Sequence, residues 1–457
     1  MTMLEMRIEI WYRIPKQNEK LKKYIEKKFY KNENMRWSMG KEEEKYTKDA
    51  SMPSDLKYLN RKRILQMIRN EQVVSVNDIS EATRISRPTI KRAIQSFEEK
   101  GLLVSVGKGS STNTGGKRPE LYTFCCEKVI LCIYLEKKYI HFAILNMKNE
   151  CIREKEVLFN YEDTFEKFQH ILRHNIYLIL QEAETSYEDL YGISLAIGGF
   201  VDRKLGIVRF CALAPEWGRN IPIKAWLEEL FPKQVIVVEN LVRIAGGSLL
   251  LEEKYRSKRI VAIYTEEGIS ACYIDGEVLT GRNALIGEIG HMTIDYSDKE
   301  VCSCGSRGCF ERMVSEDRIK EKLKENPKKL PCSTMKQWIE SDELIRHLFE
   351  EADKGDELAK EIVSYVAEMF SLILKNIAIN FDPEIIVVQG KYAYAGEYFE
   401  SELKEARKKA GFFPEETASK LYYDMRPLRE LQRFGGYHEL AEMFFENPQF
   451  YEGTTLE

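Results

Sequence analysis

The sequence predicts an α/β protein with a winged helix-turn-helix head followed by a two-lobed body, and three observations carry that prediction. Residues 57–118 hold 13 Lys and Arg against 5 Asp and Glu, whereas residues 119–457 hold 43 against 58. The basic stretch has helical apolar spacing followed by a hairpin with a Gly/Ser/Thr-rich tip. In the acidic stretch, paired strands that open an α/β lobe occur twice. A basic module joined to an acidic body is the charge footprint of a nucleic-acid-binding head on a sensor or enzyme domain.

The 457 residues are 44% hydrophobic and 31% charged, which allows two or three packed domains and excludes a disordered chain. No apolar run has the length needed to span a bilayer, and the N-terminus lacks the apolar core of a signal peptide. The expectation is therefore a cytoplasmic protein with no membrane partner. Ten cysteines fit a reducing compartment: three fall in one knuckle, and Cys125, Cys126, Cys132, Cys151, Cys211, Cys272 and Cys332 are scattered without a disulfide-like framework.

Residues 1–55 are Lys/Glu-rich and carry no assignable function. They read as a flexible extension, as the product of a start placed upstream of the true one, or, through an amphipathic segment from Glu19 to Tyr30, as a dimerising helix. The head spans 56–124. Ile64, Leu65 and Ile68 fall at helical spacing, Val76–Ala82 makes a second short helix, and Ser86 can cap a third that runs through Ile90, Ile94 and Phe97 to Gly101. Ser86, Arg87, Thr89, Lys91, Arg92 and Gln95 lie around the start and polar face of that third helix, where a recognition helix offers side chains to the major groove; an ordinary solvated face is the plainer alternative. Leu102–Val106 and Leu121–Phe124 then form the wing, with Lys117 and Arg118 at its basic end.

The first lobe spans 128–240 and opens with strands from Val129, from Tyr139 and from Cys151. A helix near Asp163–Glu184 and a strand at Tyr191–Ile197 follow. The second spans 241–446: strands Ile260–Thr265 and Ile269–Ile274, a long helix Asp356–Asn380, and a buried-type strand Ile385–Gln389. Residues 447–457 read as a tail.

Within the second lobe, Cys302, Cys304 and Cys309 lie within eight residues, interleaved with Gly305 and Gly308 that permit a tight turn, and His291 precedes them. Three thiols and one imidazole are a tetrahedral donor set suited to zinc, with no position left for a catalytic water, so a structural zinc is expected, one per chain. The alternative is a loop whose thiols merely pack.

The run Gly287-Glu288-Ile289-Gly290-His291 followed by Cys-x-Cys-Gly-x-x-Gly-Cys-x-Glu resembles the zinc loop of the ROK family, which comprises sugar kinases and sugar-responsive regulators. The likeness extends from about Val129 to Phe445. It implies an actin-like, ribonuclease-H-like body, and the Gly-Gly-Lys-Arg-Pro segment at 115–119 resembles the wing end of the family's repressors.

The resemblance also implies what a kinase of this family needs and this chain lacks. The glycine-rich phosphate hairpin is replaced by Tyr134-Leu135-Glu136-Lys137-Lys138. The second phosphate turn reads Thr265-Glu266-Glu267-Gly268, and the third Gln389-Gly390-Lys391. Where the kinases place an Asn-Asp pair whose Asp is the general base, this chain has Asn240-Leu241, and leucine accepts no proton. The family's Pro-Gly-Pro-Val-Asp-like loop is partly kept as Gly198-Gly199-Phe200-Val201-Asp202. Asn240, Glu288, His291 and Glu311 stand at the family's sugar-binding positions.

Three readings follow. The first is a DNA-binding repressor of sugar-utilisation genes, with operator DNA and a sugar or sugar derivative as partners. It would act as a homodimer or dimer of dimers, because two recognition helices must meet two half-sites. The second is an ATP-dependent hexose kinase with an appended DNA module. The third is a body that serves only for dimerisation, with Glu288 and Glu311 supporting the metal loop.

Overall fold

The computed structural model describes residues 53–71, 73–109, 118–136, 138–211, 213–266, 268–409 and 419–451. The segment Glu19–Tyr30, the wing tip with Lys117, and Lys137 and Glu267 in the phosphate-turn positions lie outside the described residues. The chain forms two compact units, a head ending at Cys126 that also takes in residues from Glu446 onward, and a body from Glu127 to Phe445.

The head begins with helix α1 (Pro53–Asn70), whose Ile64, Leu65 and Ile68 are fully buried. The two-residue strand β1 (Val74–Ser75), not expected from the sequence, leads into α2 (Val76–Thr83). Ser75 Oγ accepts from Asp78 N and the Asp78 carboxylate accepts from Ser75 N, a reciprocal cap that fixes where α2 starts. Arg84 ends α2 in the left-handed region at φ 56°, and α3 (Arg87–Glu99) follows. Ser86 stands at the start of α3, but its hydroxyl caps no backbone N–H; it pairs with Thr89 Oγ1 at 2.8 Å. Strands β2 (Leu103–Lys108) and β3 (Glu120–Phe124) pair antiparallel as the wing, and β1 joins β3 to give the order β1-β3-β2.

In the body, β4 (Val129–Leu135), β5 (Tyr139–Asn146), β6 (Cys151–Leu158), β7 (Leu190–Ile197) and β10 (Val235–Asn240) form one sheet in the order β10-β7-β4-β5-β6. Every residue of β4 is buried, as expected for a central strand covered on both faces. Helix α4 (Phe165–Glu182), capped by Thr164, connects β6 to β7, and α5 (Ile223–Leu230) precedes β10. The hairpin β8 (Phe200–Asp202) and β9 (Ile207–Phe210) and the helix α6 (Leu241–Gly247) frame the end of β10.

A second sheet, ordered β12-β11-β13-β14, combines β11 (Arg259–Thr265), β12 (Ser270–Asp275), β13 (Ile385–Gly390) and β14 (Lys420–Asp424). Around it are α7 (Glu316–Lys324), α8 (Leu344–Asp353), α9 (Glu357–Phe381) and α10 (Glu397–Lys409), whereas α11 (Leu428–Phe445) packs on β4 and β7 of the first sheet and against α6. The expectation that no segment is long and apolar enough to span a bilayer fails at α9, which is both. Its Ile362, Val363, Val366, Phe370 and Ile373 are buried in the core of the second lobe, so its hydrophobicity is that of a core helix.

Candidate DNA-binding face, metal loop and effector site

Helix α3 buries Ile90, Ala93, Ile94 and Phe97 and turns the opposite face outward. Arg87, Lys91 and Gln95, spaced four apart, form an exposed stripe flanked by Arg92, while Thr89 is half-buried beside Ser86. Gln95 donates to Glu99 at 3.2 Å, but Arg87, Lys91 and Arg92 form no ion pair among the described residues. Arg118, at the base of the wing, is also exposed. Three unneutralised cations on one accessible helix face are suited to phosphates and guanine edges.

The four predicted metal ligands converge. Their donor atoms all lie within 4.8 Å of one another. Cys302 Sγ is 3.6 Å from His291 Nδ1, and Cys304 Sγ is 3.6 Å from Cys309 Sγ. Tetrahedral zinc, with bonds of about 2.3 Å to sulfur and 2.0 Å to nitrogen, sets sulfurs about 3.8 Å apart and sulfur to nitrogen about 3.5 Å. The donor set and its spacing therefore fit a tetrahedral metal ion.

The backbone makes the convergence. Cys302 N donates to Ser306 O and Gly305 N to Cys302 O, both at 2.8 Å, while Thr293 and Val301 bridge to Cys309 and Arg307. Gly308 has φ 67°, and a Cβ there would lie 1.8 Å from the Asp295 carbonyl oxygen, so only glycine fits. The Ser306 N–H lowers the Cys304 thiol to about 7, whereas burial pushes Cys309 up to about 12, helped by the neighbouring Cys304.

Of the positions expected to bind a sugar, Glu288, His291 and Glu311 lie in or beside this loop. Glu288 immediately precedes a turn of 3-10 helix, Ile289–His291, and Glu311 stands in the first turn of a short helix, Phe310–Met313. Glu311 Oε2 accepts from Ile269 N at 2.8 Å and so braces the turn before β12. Glu288 accepts from Ser270 Oγ at 3.3 Å. Burial raises the Glu288 carboxyl above its ordinary range and Glu311 acts the same way, against the opposing influence of His291, Ser270 and Arg243.

Asn240 ends β10, and both ends of its amide are engaged. Oδ1 accepts from Val242 N at 2.8 Å, capping α6, and Nδ2 donates to Gly199 O at 2.7 Å. The next residue, Leu241, is 6% exposed and packs in a cluster with Tyr134, Ala196 and Ile244.

Two residues that sequence reasoning missed lie beside it. Glu239 is fully buried; its Oε1 accepts from Asn240 N at 2.6 Å and from Arg243 Nε at 2.8 Å. Arg243, 4% exposed, also donates to Val201 O at 2.9 Å. The pair falls at i and i+4 across the strand-to-helix junction, a spacing visible in the sequence but common on any helix.

The phosphate-turn positions are occupied by internal bonds. Glu136 pairs with His141 at 3.1 Å. Thr265 Oγ1 donates to Gln389 O at 2.6 Å and accepts from Tyr392 N at 3.0 Å. A Cβ on Gly390 would lie 3.1 Å from Glu266 Cγ, so the turns after β11 and β13 press together.

A winged helix-turn-helix joined to a two-sheet α/β body with a Cys3His loop defines the class of DNA-binding proteins with a sugar-kinase-type domain. Residues 130–419 match the ROK family and residues 59–104 match a winged helix-turn-helix DNA-binding family. The chain belongs to the ROK family.

It is 26% identical over 362 residues to a xylose repressor of Caldicellulosiruptor bescii, covering 78% of this chain and 89% of that protein. It is 24% identical over 353 residues to the DNA-binding transcriptional dual regulator NagC of Escherichia coli, covering 74% and 82%. A glucokinase of Thermotoga maritima is 30% identical over 216 residues, covering 47% of this chain and 68% of that enzyme. Among solved structures, a ROK family transcriptional regulator homologous to the E. coli Mlc protein shares the fold with a TM-score of 0.66 at 19% identity. The match covers 85% of this chain and 99% of that one.

Proposed function

We propose that this protein is a transcriptional repressor whose kinase-like body senses a sugar or sugar derivative and does not phosphorylate it. The observation that carries the reading is the exposed stripe of Arg87, Lys91 and Arg92 on α3, which finds no counter-charge among the described residues. The repressors among its relatives are named for xylose and N-acetylglucosamine, which supports a sugar-type effector. Asn240, Glu288, His291 and Glu311 form the effector site in this reading, with Arg243 beside them. Zinc is the metal of the Cys3His loop, held by His291, Cys302, Cys304 and Cys309, where it fixes the segment that carries Glu288 and Glu311.

The likeness to a glucokinase supports the kinase reading, but the chemistry of the site supports it poorly. Leu241 is buried apolar core where the family's base would stand, and Thr265 is spent on internal bonds. A coupled assay for ATP turnover over a sugar panel, run beside thermal-shift screening of the same sugars, separates the two. Stabilisation by a sugar without turnover supports the sensor. Sugar-dependent ATP consumption overturns it.

A further inference from the structure

Helix α11 closes the body, and the residue that follows it belongs to the head. Within the body, α11 holds the Glu239–Gly247 segment at three points, two of them direct and one through Arg203. Gln432 Nε2 donates to the Leu241 carbonyl at 2.7 Å. Gly435 lies so close to α6 that a Cβ would come within 1.7 Å of the Ile244 carbonyl oxygen. Glu439, buried, pairs with Arg203, whose other terminal nitrogen lies 3.5 Å from the Glu239 carboxylate. Glu239 in turn holds Asn240 N and Arg243. Close-packed side chains and buried ion pairs shift between discrete arrangements rather than stretching, so a displacement of this turn moves α11 with it.

At the other end, the segment Glu446–Tyr451 is packed into the head. Tyr451, 1% exposed, sets its ring edge-on to Tyr58 at 5.0 Å, and its carbonyl accepts from Arg61 Nη1 at 3.0 Å. Glu446 pairs with Lys62, and Lys100 Nζ donates to the Gln449 carbonyl. Tyr58, Arg61 and Lys62 belong to α1, and Lys100 is the C-cap of α3. The strap therefore holds the first helix and the end of the helix that carries Arg87 and Lys91.

We propose that α11 and the strap Glu446–Tyr451 are the mechanical link through which the Asn240 turn and α3 bias one another. The inference rests on the head being a DNA-binding module and goes beyond that by naming the coupling element. Coupling between two sites is reciprocal, so DNA on the head must perturb the body by the same free energy with which an effector perturbs DNA affinity. The link is thus testable with DNA alone.

The test is amide hydrogen exchange on the full chain, free and bound to a duplex selected from a random-sequence pool. It compares the native protein, a variant with two glycines inserted between Phe445 and Glu446, and Glu439→Gln. The insertion keeps every docking residue and slackens the connection.

In the native protein, DNA should change exchange rates in Leu241–Gly247 and α11 by about twofold or more. The insertion variant should bind the same duplex within about threefold and lose that change, and Glu439→Gln should lose it at Leu241–Gly247 while the strap still responds. A native protein that binds DNA with no change beyond the head, or an insertion variant whose body responds undiminished, overturns the link. A native protein that selects no duplex instead overturns the DNA-binding reading beneath it.

Discussion

Replacing Leu241 with Asp restores the side chain a family kinase uses as its base, and the structure predicts that the variant loses stability and gains no activity. Leu241 is 6% exposed in a cluster with Tyr134, Ala196 and Ile244, and it lies beside Gly198, where a Cβ would come within 3.5 Å of its Cδ2. Removing a buried leucine forfeits about 1.5–3 kcal/mol of transfer free energy. The new carboxylate would enter that apolar cluster, two residues along the chain from Glu239, which is fully buried and whose charge is already met by Arg243 and Arg203. An added buried carboxylate without a cation brings the total to about 3–5 kcal/mol, a large share of a typical stability of about 5–15 kcal/mol.

The sign of the pH effect follows. Burial raises the folded pKa of the new Asp above its unfolded value of about 3.9, so the native state holds the proton more tightly. The relative stability of the variant is therefore highest below that value and falls as pH rises through the folded pKa. Differential scanning fluorimetry at pH 5 and pH 8 should show a melting temperature lowered by on the order of 10 °C, with the larger loss at pH 8. A coupled ATP assay should stay at background. A variant as stable as the native protein, or one that turns over ATP with a sugar, would refute the reasoning.

Stripping metal with a chelator should lower the melting temperature, and Cys304→Ala should reproduce that loss, because metal affinity in such a loop is folding free energy; metal analysis of untreated protein should give one zinc per chain. Exchanging Arg87 and Lys91 for Ala should relax sequence preference in a selection experiment, whereas exchanging Lys117 and Arg118 should weaken binding evenly and reduce the slope of affinity against salt, by about one unit for each phosphate no longer neutralised. Asp356 caps α9, accepting from Leu358 N, Ala359 N, Thr334 N and Ser333 Oγ; burial opposes its charge, but these bonds prevail and hold its carboxyl below the usual range. Its contribution is present above the unfolded pKa and is lost as pH falls through the folded one, so Asp356→Ala should cost about 1–2 kcal/mol at pH 7 by urea denaturation and progressively less toward pH 3.

Much of this architecture was legible because local signals agreed with it. The knuckle from Cys302 to Cys309 carries its own geometry in its spacing and its glycines, and the donor atoms meet as expected. The hairpin from Val129 to Asn146 was readable from two apolar runs broken at Glu136–Lys138. What stayed hidden depends on residues far apart. Arg61 and Tyr451 are 390 positions apart, and nothing near either foretells that Glu446–Tyr451 packs into the head.

At the proposed effector site, the family resemblance drew attention to Leu241 in place of an Asp, but the sequence gave no sign that Arg243 neutralises Glu239 beside it. Ser86 misled in a small way, because a hydroxyl at a helix start usually caps, and here Thr89 was within reach instead. Helix α9 escaped notice as a bilayer-length segment because Glu361, Glu368 and Lys375 fall at intervals along it and break its apolar run into short pieces.

The most direct test of the central claim is fluorescence anisotropy of the purified chain with a duplex selected from a random pool, repeated with each member of a sugar panel that includes xylose and N-acetylglucosamine. The account predicts specific binding that one sugar weakens by about 5- to 150-fold, the range of ordinary allosteric coupling, without ATP and without consumption of the sugar. Binding that no sugar alters, or a response that requires ATP hydrolysis, would contradict it.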